Sequence, residues 1–304
     1  MLLKLLLEVM LPLFFYVILG YLFNRKFKLD LGTLTSLLVY LFLPVAVFMK
    51  IYDSPISGTI AGGILIFLFI QYVVMSLVSY VVCRLRKIEP SMRGTFANSI
   101  ALNNSGNLGL PVNALVFKND PFAMSIAVLI VLFQNVMTFT VGVYNAEASV
   151  KLKEAIVKML KLPIIYSVIL GFILQLFHIQ MNHIVVSILD PITSAFAPFA
   201  LITLGAQLAA TGMKINWTDL AASNILRLMG GPVFAFILIQ IFNFDGVVAR
   251  SLFIASAFPS SRNSALLSFK GPHASFAAQT VLSSTLLSSL TLPIVIQLSN
   301  ILLK

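Results

Sequence analysis

The sequence predicts an all-α polytopic membrane protein of about ten crossings, and three observations carry that prediction. Of its 304 residues 59% are hydrophobic and only 10% are charged, against about 25% charged in soluble domains. Apolar stretches of about 20 residues, enough to span a bilayer, follow one another along the whole chain with short connections. Lys and Arg gather in alternate connections, as they do where loops face the cytoplasm.

Taken in order, the crossings fall at about 5–24, 33–52, 59–83, 93–117, 122–144, 163–180, 184–211, 218–242, 247–269 and 275–302. The apolar start of the chain lacks a small-residue cleavage end and runs straight into Asn24-Arg25-Lys26, so it reads as the first crossing rather than a cleaved leader. Thirteen cations, among them Arg25, Arg84, Arg86, Lys87, Lys151 and Lys270, lie in odd-to-even connections, and four lie on the opposite side. Arg227, Arg250 and Arg262 are ambiguous in this tally. The asymmetry predicts both termini outside the cytoplasm. It also assigns the net charge of +10 to loops facing anionic membrane lipid rather than to nucleic acid. In the longest connection, Leu152, Ile156, Met159 and Leu160 recur at helical spacing among lysines. That pattern fits an amphipathic helix on the cytoplasmic leaflet.

An internal repeat divides the chain. Leu11-Pro-Leu-Phe-Phe-Tyr-Val-Ile-Leu-Gly-Tyr-Leu-Phe23 aligns without gaps on Leu162-Pro-Ile-Ile-Tyr-Ser-Val-Ile-Leu-Gly-Phe-Ile-Leu174, with six of thirteen positions identical. Pro44 in crossing two answers Pro198 in crossing seven. The expected plan is a first repeat over 1–146, a cytoplasmic linker over 147–161 and a second repeat over 162–304. An odd number of crossings per repeat inserts the halves in opposite orientation, a common plan of secondary transporters.

Crossing four contains the chemistry. Asn98, Asn103, Asn104, Asn107 and Asn113 sit in one apolar segment, interleaved with Gly106, Gly109 and Pro111. Their amides, and backbone groups freed by Gly and Pro, persist at membrane depth only where protein buries them or water reaches them. The corresponding segment of crossing nine reads Ala255-Ser-Ala-Phe-Pro-Ser-Ser-Arg-Asn-Ser264, with its own proline and polar run. Two interrupted segments at matching positions point to a binding site where broken helices cross. The candidates are Asn103, Asn104, Ser105, Gly106, Asn107, Gly109 and Pro111 with Pro259, Ser260, Ser261, Arg262 and Asn263. The Asn and Ser side chains would bond substrate oxygens and exposed backbone, or else bridge packed helices. Gly106 and Gly109 are expected to let backbones approach. Arg262 reads two ways, as a cation facing the site or as one snorkelling to the cytoplasmic face.

No Asp or Glu falls near a midplane, and no His looks like a relay. Phosphate loops, metal-ligand spacing and a Ser–His–Asp partnership are missing from the sequence, so an enzyme is not expected and neither is a metal or cofactor. Single Cys83 excludes an intramolecular disulfide.

Asn104-Ser-Gly-Asn-Leu-Gly-Leu-Pro111 resembles the signature of the auxin efflux carrier family, which includes bacterial malate and malonate permeases and plant PIN-type auxin carriers. Thr280-Val-Leu-Ser-Ser-Thr-Leu-Leu-Ser-Ser-Leu-Thr-Leu-Pro293 resembles its last crossing. The resemblance implies ten helices in two inverted five-helix repeats with broken crossing helices four and nine, similar to bile-acid sodium symporters and sodium/proton antiporters. It implies a secondary carrier of a small organic anion, a dicarboxylate or an auxin-like acid, working by alternating access; related carriers suggest a homodimer. A sodium-coupled symporter of bile-acid type and a non-transporting sensor or channel are the alternatives.

Overall fold

A computed structural model describes residues 11–52, 58–118, 120–146, 163–210, 217–268 and 273–303. The cytoplasmic linker expected at 147–161, and Lys270, lie outside the described residues. Among those described, the backbone is helical with one isolated β-bridge.

In chain order the helices are α1 (Leu11–Phe27), α2 (Leu31–Leu37), α3 (Leu43–Tyr52), α4 (Gly58–Leu85), α5 (Pro90–Ala101), α6 (Leu110–Val116), α7 (Pro121–Met137), α8 (Val143–Ala146), α9 (Pro163–Leu176), α10 (His183–Ala210), α11 (Trp217–Ile225), α12 (Gly231–Phe242), α13 (Gly246–Ser256), α14 (Arg262–Leu267) and α15 (Ala274–Leu302). Single π turns join α2 to α3, α7 to α8 and α11 to α12 without ending the helical path. Six of the resulting helical runs, at 31–49, 60–85, 122–146, 183–207, 217–242 and 274–302, are long and apolar enough to cross a membrane. This is a multi-pass helical membrane protein.

The helices form two compact units, and each half of the chain contributes to both. One unit consists of α1–α3 with α9 and α10. Its tightest seam lies between α1 and α10, where a Cβ on Gly20 would fall 1.9 Å from the Ile202 carbonyl oxygen and one on Gly205 would fall 1.9 Å from that of Val17. Membrane helices gain little from hydrophobicity against one another, so backbone contact through small residues supplies the packing. Asn24 Nδ2 adds a bond to the Ala206 carbonyl at 2.8 Å, and Phe42 stacks on Phe199 with centroids 4.6 Å apart. Asp30 caps α2 through the Gly32 amide at 3.0 Å. Bonds from Thr33 and Gly32 hold the Asp30 carboxyl below its ordinary value.

The other unit holds α4–α8 and α11–α15. Buried Asn98 on α5 donates to the Gly142 carbonyl at 2.8 Å and accepts from Asn145 Nδ2 at 2.9 Å, tying α5 to α8. Arg86, just past α4, pairs with Asp219 on α11 at 3.0 Å. Phe67 packs on Phe242 and Phe244, the centroid distance being 6.0 Å in each pair. All candidate site residues belong to this unit.

Candidate functional site

Crossing four starts with Pro90 at the front of α5, where its missing N–H is no loss. The helix ends at Ala101, and Leu102 turns extended with φ −99° and ψ 131°. Next come Asn103, Asn104 and Ser105, whose short polar side chains compete with the helical ladder. Helix resumes through the π turn Ser105–Gly109 and α6. Crossing nine breaks for another reason. Pro259 cannot continue α13 and disfavours helix at the residue before it, so α13 stops at Ser256 and α14 begins at Arg262.

The two interruptions lie antiparallel and pair through their backbones. Asn104 N donates to the Pro259 carbonyl at 2.9 Å, and Ser261 N donates to the Leu102 carbonyl at 2.9 Å. A β-bridge forms between Asn103 and Ser260. Backbone groups released by the breaks are therefore satisfied by the crossing itself, which membrane depth demands. Side chains add to it: Asn103 Nδ2 donates to the Ala255 carbonyl at 3.1 Å, and Asn103 N donates to Gln134 Oε1 of α7 at 3.2 Å. The Ser105 hydroxyl donates to Asn103 Oδ1. Ser260 Oγ donates to the Ser99 carbonyl at 2.6 Å, while Ser260 N donates to Ser284 Oγ of α15 at 3.1 Å.

Asn103, Asn104, Ser105, Gly106, Gly109, Pro259, Ser260, Ser261, Arg262 and Asn263 thus all lie on the two interruptions or the turns that follow them. Asn107 stands in the π turn and Pro111 in the first turn of α6; their side chains are not among those described. The polar residues divide by use. Asn103, Ser105 and Ser260 direct their side chains into the protein's own bonds. The buried side chains of Asn104 and Ser261 make no hydrogen bond to described residues, leaving an amide and a hydroxyl for another partner.

Gly109 lies under Phe258, whose ring a Cβ would meet at 2.5 Å. Gly106 does not serve the same closeness, contrary to expectation. The nearest atom a Cβ there would meet is Val131 Cγ1 at 3.9 Å. Arg262 is 2% exposed and its Nη2 lies 3.4 Å from Asn263 Oδ1. It is buried within the protein and not extended into solvent. Keeping a guanidinium out of water is costly unless polar groups or an anion answer it.

Arg227 is the residue that charge counting missed. It is 2% exposed in the π turn Leu226–Gly230 and reaches the ends of both helices that stop at the interruptions. The signal was available, because Arg227 falls in the middle of crossing eight, where an arginine needs partners as much as Arg262 does. No three His, Cys, Asp or Glu side chains come together as a metal site among the described residues.

A family model described as membrane transport protein matches residues 5–296. The chain belongs to this family of auxin efflux carrier-like transporters. Its relatives include a transporter of uncharacterised function from Methanothermobacter thermautotrophicus, 24% identical over 94% of this chain and 96% of that one. Another is a protein of Rhizobium meliloti named as a candidate malonate transporter, 28% identical over 92% of each chain. Membership accounts for the helical, multi-pass architecture and makes the protein a membrane transporter.

Proposed function

We propose that the protein is a secondary carrier for a small organic anion of the mono- or dicarboxylate class, working by alternating access in the inner membrane. The observation that carries this reading is Arg262, a buried cation that opens α14 at the crossing of two broken helices, whose interruptions also carry Asn104 and Ser261. A carboxylate accepts hydrogen bonds only, which suits a guanidinium, an amide N–H and a hydroxyl. The relative named for malonate supports a dicarboxylate in particular. The proposed frame is ten crossings in two inverted five-helix repeats, with both termini outside the cytoplasm and two copies assembled as a homodimer.

Calorimetric titration of the purified protein with malonate and with its uncharged diamide tests the reading. Malonate is expected to bind, the diamide to bind at least about tenfold more weakly, and Arg262→Ala to erase that preference. An Arg262→Ala variant that still prefers malonate over the diamide to the same degree would remove Arg262 from the site.

A further inference from the structure

The last turn of any helix leaves carbonyls without intrahelical partners, and here two helices, α5 and α13, end side by side at the crossing. Most of their terminal carbonyls can be followed to a named partner. On α5, Asn98 O accepts from Leu102 N and Ser99 O accepts from Ser260 Oγ. On α13, Phe253 O accepts from Ser256 Oγ, Ile254 O from Ala257 N, and Ala255 O from Phe258 N and Asn103 Nδ2. Two more, Ile100 O and Ser256 O, go to the same side chain. Arg227 Nη1 donates to Ile100 O at 2.6 Å, and Nη2 donates to Ser256 O.

We infer that Arg227 is the positioning residue of the crossing, a fixed cation whose charge latches the C-terminal ends of both half-helices together. The magnitudes match. Each helix C-terminus behaves as about −0.5 of a unit charge, so two ends present about −1 to a single guanidinium. The planar fork is what lets one residue serve two carbonyls on different helices. Two local features aim it. The π turn Leu226–Gly230 rotates Arg227 out of regular helical register. Gly231, the next residue, leaves the space: a Cβ there would sit 2.5 Å from Ser256 O and 2.9 Å from Arg227 Nη2. Arg227 acts on the carrier reading's site through the crossing and not through contact with substrate.

The latch is tested without substrate, by amide hydrogen exchange of the purified protein over peptides covering 98–108 and 255–265. Arg227→Gln is expected to raise exchange at both peptides about tenfold or more, since hydrogen bonds to a charged group are lost at each. Arg227→Lys, which keeps the charge and loses the fork, is expected to fall between wild type and Arg227→Gln. Should Arg227→Gln not fold, Gly231→Ala pushes the intact guanidinium off Ser256 and is expected to open 255–265 more than 98–108. Unchanged exchange in Arg227→Gln, or Lys no better than Gln, would overturn the latch, as would Gly231→Ala with wild-type exchange. Malonate flux, measured in parallel, reports on the carrier reading alone: its absence in wild type would sink that reading and leave the exchange result standing.

Discussion

Asn103 and Asn104 are neighbours of identical chemistry, and the fold uses them differently. The Asn103 amide is bonded to Ala255 O and to the Ser105 hydroxyl, whereas the Asn104 side chain has no bond to described residues. Asn103→Ala is therefore expected to cost about 1–3 kcal/mol of stability by removing one bond to Ala255 O and leaving the buried Ser105 hydroxyl without its acceptor, seen as a lower melting temperature. Asn104→Ala is expected to melt like wild type and to bind malonate about tenfold more weakly. A reversed pattern in the two melting curves would put the wrong asparagine in the site. The sequence singles out both equally, because composition at a helix break does not say which amide the opposite strand takes up. Arg262 and Arg227 show the complementary limit. Charge counting sorts arginines between loops, and only the cost of burying one at midspan marks it as needing partners; once that cost is applied, both stand out.

Among the elements, interruptions with a backbone cause were legible: Pro259 in crossing nine and the Asn–Ser–Gly run in crossing four. Their mutual pairing was not, because a bridge between residues 103 and 260 joins segments distant in the chain. The π turns were hidden as well, since one inserted residue in a helical ladder leaves an apolar pattern almost unchanged. Glycine at 20 and 205 fell in an ordinary apolar stretch, yet it fixes how closely α1 and α10 pack. Gly205→Leu is expected to lower stability by at least about 1–3 kcal/mol, because the added atoms meet backbone that cannot rotate away. Thermal melting of the detergent-solubilised variant checks this; a wild-type curve would mean the α1–α10 seam is looser than described.

For the molecule as a whole, membrane embedding was legible from hydropathy alone, and the family follows from a match over residues 5–296. What hydropathy could not give is that both halves of the chain feed each of two compact units, since packing partners are chosen by surface and not by chain order. The distribution of Lys and Arg predicts an extracytoplasmic C-terminus, so a C-terminal tag is expected to react with a membrane-impermeant reagent on cells whose inner membrane is intact; protection there would reverse the orientation. The central claim, a carrier that binds a small organic anion at the crossing, is tested most directly by counterflow in proteoliposomes. Vesicles loaded with unlabelled malonate are placed in a trace of labelled malonate. A carrier working by alternating access is expected to accumulate label transiently above equilibrium, and the Arg262→Ala variant is expected to lose that overshoot. Label that only equilibrates through wild-type protein, without overshoot, would mark a channel and contradict the claim.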